Sequence, residues 1–156
     1  MNYELYKSQF VLLKNFLKKE HNIKVQMFAD SEDAWYPNLN LIRINKNLKW
    51  RERFFVLLHE AGHALIDTDQ SVKSKTCFNK NRPEYVRSKK NYVHILNDEI
   101  LAWNKGKELA KKLFFELDNF RYEEYMTDCI MSYIKTGLQS VYGKEINVST
   151  IRTKFV

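Results

Sequence analysis

Cysteine is nearly absent from this chain. Only Cys77 and Cys129 occur among 156 residues, and they form no Cys-x-x-Cys pair. No disulfide framework is indicated, and two free thiols in a reduced, cytoplasmic setting are the plain expectation. A single disulfide, or Cys77 as a metal ligand, stands as a lesser alternative. Long apolar runs are missing too: none approaches the roughly 20 residues that span a bilayer, so no membrane partner is expected. The opening MNYELYKSQF carries Glu4 early and has no apolar h-region, so it does not read as a signal peptide. Internal repeats and low-complexity blocks are also lacking.

What is present points to a globular protein. Hydrophobic residues make up 44% and aromatics 14%, enough for a single packed core. One domain over residues 1–156 is expected, with its core at about 23–117, a C-terminal helix at 118–143 and a tail at 144–156. The net charge of +7 admits nucleic acid or an acidic partner, but equally a lysine-rich soluble exterior. The lysines are scattered and no nucleic-acid reading motif accompanies them.

Periodicity orders the elements. Leu5, Leu12, Leu13, Phe16 and Leu17 mark an amphipathic helix over residues 3–19. Ile23, Val25 and Met27 alternate with polar neighbours as a half-buried strand. Pro37-Asn38 makes a turn, and Leu39 to Asn45 is a second strand, expected antiparallel to the first. A helix from about Leu48 to Ile66 follows. Residues 67–93 read as a long irregular segment with seven Lys/Arg against three acids, a length that usually signals function or mobility. A second long helix runs from Tyr92 or Asn97 to Leu117. A third is capped by Asp118 or Asn119 and ends at Gly143. The expected class is α+β: a small antiparallel sheet packed on an active-site helix, with two further long helices.

The chemistry concentrates in FVLLHEAGHALID, residues 55–67. On a helix, residues four apart share a face, so His59 and His63 project side by side. Two imidazoles on one rigid element can chelate zinc (Zn2+), with bonds of about 2.0–2.1 Å. Glu60 lies about 100° round the helix, where it would act as general base toward a water rather than as a ligand. The alternative is chance occurrence, but this helix is apolar on nearly every side, and unpartnered imidazoles buried there would be costly. Gly62 costs about 1 kcal/mol against alanine in a helix, so something needs close approach at that point.

A catalytic zinc wants a third protein ligand. Asp69, six residues after His63, resembles the metzincin spacing, but that pattern relies on a glycine where this chain has the β-branched Ile66. Glu99 is the stronger candidate, because Ala102, Gly106 and Ala110 continue its face as a stripe of small residues. Such a stripe lets two helices approach closely and would bring Glu99 onto the histidines. Asp98 is a further alternative. His94 would either point about 140° away from Glu99 on the helix or sit in a loop and assist the transition state. Asp128 is a candidate acceptor for a ligand histidine, or equally an acid on the helix surface. Tyr125, with Tyr122 and Tyr133, is a candidate to stabilise an oxyanion. His21 reads as a solvated turn residue.

The strand Leu41-Ile42-Arg43-Ile44-Asn45, the helix with Leu58-His59-Glu60-Ala61-Gly62-His63-Ala64-Leu65, and the later Asp98-Glu99-Ile100-Leu101-Ala102-Trp103 resemble, in that order, a gluzincin-like zinc metallopeptidase. They are similar to the compact ImmA/IrrE-type and phage or mobile-element peptidases. That resemblance implies zinc held by His59, His63 and Glu99, with Glu60 as catalytic acid/base and a regulatory protein or repressor as substrate. After Glu99 this chain departs from the family's acidic-Ala-Asn-x-Phe-Ala stretch, carrying Ala102-Trp103-Asn104-Lys105-Gly106 instead. If the second strand is a sheet edge, an extended peptide can pair with it and run past the metal. The basic 67–93 segment would then favour acidic or phosphate-bearing partners. Two other readings stand beside this one. One is a zinc-stabilised binding module whose basic surface engages nucleic acid or a regulatory protein. The other is a zinc amidase acting on a non-protein substrate.

Overall fold

The computed structural model describes residues 3–29, 32–69 and 89–142. Helix α1 (Tyr3–His21) buries Tyr6, Gln9, Phe10, Leu13 and Leu17, one stripe at helical spacing. Asn22 ends it in the left-handed conformation, φ 54°, while the Ile23 amide donates back to the Leu17 carbonyl at 3.1 Å. That bond satisfies an end carbonyl and turns the chain into the sheet.

Three strands follow: β1 (Lys24–Phe28), β2 (Ala34–Tyr36) and β3 (Leu41–Asn45), in the order β1-β3-β2. The α+β class expected from the sequence holds, but the sheet is mixed rather than antiparallel. β1 pairs with β3 in parallel, Val25 opposite Ile42, whereas β2 pairs with β3 antiparallel, Trp35 opposite Ile42. The physical reason is a second reversal. The chain turns once after Phe28 and again through the short 3-10 turn Pro37–Leu39, so β3 runs in the same direction as β1. β3 is thus the central strand, and the edge expected there belongs to β1 and β2. Ile42 and Ile44 alternate inward with no exposure and meet the core.

Helix α2 (Trp50–Thr68) is the hub. It is buried almost continuously from Phe54 to Gly62, as its all-round apolar sequence implied. Glu52 accepts from the Lys49 amide at 3.1 Å and so closes its first turn. Helix α3 (Lys89–Lys112) and helix α4 (Asn119–Tyr142) complete the set. Asp118 caps α4 as expected, its carboxylate accepting from the Arg121 amide at 3.1 Å. α3 is already helical at Lys89, earlier than either start anticipated from the sequence. Most of the basic segment, including Cys77, and the tail beyond Tyr142 lie outside the described residues.

Candidate metal centre

The site is made where α2 and α3 cross. A Cβ added to Gly62 would overlap the backbone carbonyl of Ala102, and one on Gly106 would come within 2.5 Å of the Leu58 carbonyl. Residue numbers fall on α2 as they rise on α3, so the helices run antiparallel with their backbones nearly touching. Ala102 and Ala110 pack into the same seam, both buried. Only residues without bulk allow that approach, so one contact accounts for both the small-residue stripe and Gly62. The seam sets Glu99, one turn before Ala102, against the two histidines.

His59 Nε2 lies 3.1 Å from Glu99 Oε2, and His63 Nε2 lies 3.6 Å from Glu99 Oε1. The two imidazole centroids are 4.6 Å apart. One ligand atom from each of His59, His63 and Glu99 falls within 4.8 Å of the others. Ligand atoms held about 2.0–2.1 Å from a tetrahedral ion sit roughly 3.3 Å from one another, so these separations suit a shared cation. Glu99 Oε2 is moreover buried without an aligned donor, a costly state for an anionic acceptor unless a cation satisfies it. The three residues fit a metal.

Electrostatics agree with the geometry. Burial holds the His59 pKa below its ordinary value, against the raising influence of Glu99, which favours the neutral imidazole that ligates. Burial alone would raise Glu99, but the adjacent His59 and His63 pull it down to about 2. Glu60 behaves oppositely. It is 6% exposed, and burial pushes it up to about 7, with His63 lowering it and Glu99 and Asp33 raising it further. A carboxyl poised near neutrality beside the ligands can take and return a proton.

Trp35 is the participant that sequence reasoning missed. Its backbone amide hydrogen-bonds the Glu60 carboxylate, and its indole donates to Asp67 at 2.8 Å. Edge strand β2 is thereby fastened to α2 at two points. A three-residue strand shows no readable alternation, so nothing in the sequence flagged it.

The other candidates sort clearly. Asp69 is the C-cap of α2 and Asp98 belongs to α3, and both stand outside the converging group. His94 is on the helix, five residues before Glu99, and is likewise outside it. His21 closes α1 and packs edge-on against Phe16, more than the solvated role expected. Asp128 is exposed on α4, so it does not orient a ligand histidine; its helix turns that face outward. Tyr122 is buried and donates to the Trp103 carbonyl at 2.9 Å. Tyr125 packs edge-on against Phe55 and Trp103. Tyr133 is 40% exposed, yet it is the tyrosine that feels the site: partial burial first, then the charges of Glu99 and Glu60 and a hydrogen bond with Glu99, raise its pKa.

The model of the family described as the IrrE N-terminal-like domain, Peptidase_M78, matches residues 18–125. The chain belongs to that family. The matched span runs from the end of α1 into α4 and contains every residue of the converging group. The sequence resemblance to ImmA/IrrE-type zinc metallopeptidases therefore stands. No curated protein and no solved structure matches the chain. No described helix is long and apolar enough to cross a membrane.

Proposed function

We propose that this member of the family is a single-domain, cytoplasmic, zinc-dependent peptidase that hydrolyses a peptide bond in a protein substrate, a regulatory protein or repressor being the expected kind. The observation that carries the reading is the convergence of His59, His63 and Glu99 next to a buried Glu60 of near-neutral pKa. His59, His63 and Glu99 would hold the ion, which when bound supplies the Lewis acidity that makes water and the scissile carbonyl reactive.

The remaining work falls to this chain's own groups. Glu60, oriented by the Trp35 amide, takes the proton from the attacking water and returns it to the leaving amine. Tyr133, beside Glu99, donates a hydrogen bond to the carbonyl oxygen as negative charge develops there. The outer side of β2 offers the backbone edge along which an extended peptide can pair. β2 thus replaces the second expected strand in that role.

Glu60→Gln tests the proposal. Wild type and variant would be incubated with a peptide library and new N-termini counted by mass spectrometry. Cleavage should fall by about 10^3-fold or more, at the scale of losing general-base catalysis, while bound zinc stays the same. No cleavage by either form would favour the zinc-stabilised binding module instead, and equal cleavage by both would remove Glu60 from the mechanism.

A further inference from the structure

Metal-ligating histidines ordinarily donate the ring nitrogen that faces away from the ion to a carboxylate or carbonyl, which fixes the ring plane. His59 is different. Its Nδ1 is buried, and none of the described residues accepts from it. A flat surface holds the ring instead. The Trp103 indole stacks on the His59 imidazole with centroids 4.2 Å apart and planes 23° from parallel. The indole is itself immobilised: it is 1% exposed, and Tyr122 and Tyr125 press on it edge-first at 5.3 and 6.0 Å. The Tyr122 hydroxyl also fastens the Trp103 backbone.

We infer that Trp103 is a positioning residue for the metal centre, setting the plane of His59 by stacking where other sites use a hydrogen bond. The inference rests on the metal reading above. Rotation of the imidazole about its χ2 bond would drive it into the indole, so the stack keeps Nε2 aimed toward Glu99. The contact also responds to loading. An imidazole bound to a divalent cation becomes electron-poor, and indole presents the strongest π-face of the aromatic side chains to such a group. Stacking therefore favours the loaded state over the empty one, and Trp103 should sense the ion directly. Phenylalanine would keep a flat surface with a weaker π-face; leucine would keep neither.

The experiment compares wild type, Trp103→Phe and Trp103→Leu, stripped of metal. Zn2+ affinity is measured by chelator competition, Co2+ binding by visible absorption, and tryptophan emission is followed throughout. Zinc should change wild-type emission, and that change should vanish in Trp103→Phe although Trp35 and Trp50 remain. Affinity should fall severalfold in Trp103→Phe and about 10- to 100-fold in Trp103→Leu, the range for losing a group that orients a ligand. The cobalt spectrum should shift in the leucine variant. Leu17→Ala is the control for packing damage, since Leu17 is fully buried on α1, which contributes no ring to the stack; it should lower stability and leave the cobalt spectrum unchanged. Native zinc affinity and an unaltered cobalt spectrum in both Trp103 variants would overturn the inference. Should the leucine variant fail to fold, emission and affinity in Trp103→Phe decide alone. Wild type binding neither ion would overturn the metal reading itself.

Discussion

The two seams that α3 makes are built differently. Against α2, its contact is backbone on backbone: Gly62 faces the Ala102 carbonyl and Gly106 the Leu58 carbonyl. Against α4, the tight point is Gly137 facing the ring of Tyr92, where an added Cβ would come within 2.6 Å of ring carbon. That second seam is also bridged by Lys107 and Glu123 at 2.6 Å on the surface, a pair worth little in water. A ring can tilt, whereas a helix backbone cannot move without carrying everything attached to it. The first seam therefore fixes the distance from Glu99 to the histidines. The second only brings Tyr133 near.

Breaking the first seam should have the largest effect. Gly62→Ala forces the helices apart and is expected to cost about 3 kcal/mol, at the upper end for overpacked cores, as read from urea unfolding of the metal-free chain. Zinc affinity should fall with it, because Glu99 moves off the histidines. Native zinc affinity in a folded Gly62→Ala protein would show that the seam does not set the ligands.

Tyr133→Phe probes the chemistry that the second seam presents. Removing one donor to a developing oxyanion typically lowers turnover about 100-fold, so kcat should fall on that scale with zinc content unchanged. A variant as fast as wild type would remove Tyr133 from the mechanism. Gly137→Ala should do least. The Tyr92 ring can yield, and alanine regains up to about 1 kcal/mol of helix propensity, so stability should change by less than about 1 kcal/mol and zinc affinity not at all. A loss as large as that from Gly62→Ala would erase the contrast between the seams.

The same contrast explains what could be read from the sequence. His59, Glu60 and His63 were legible because helical spacing alone places them. Glu99 was legible because a stripe of small residues implies a backbone contact, and a backbone contact leaves little freedom in register. Trp35 was not, since β2 is too short to show a pattern, and overlooking it also reversed the expected direction of β3. Tyr133 could not be separated from Tyr122 and Tyr125 by spacing along α4, because which ring faces the site depends on how α4 lies across α3. Asp128 stood open for that reason between an acceptor for a ligand histidine and a helix-surface acid, and its exposure agrees with the second.

The central claim is that three side chains from two helices grip one ion. Elemental analysis of the purified protein beside Glu99→Ala tests it most directly, because Glu99 is the ligand contributed by the second helix. The expected result is one zinc per chain in wild type and a large loss in the variant, with circular dichroism showing both folded. A folded Glu99→Ala protein that keeps its full zinc, or a wild type that takes up none, would contradict it.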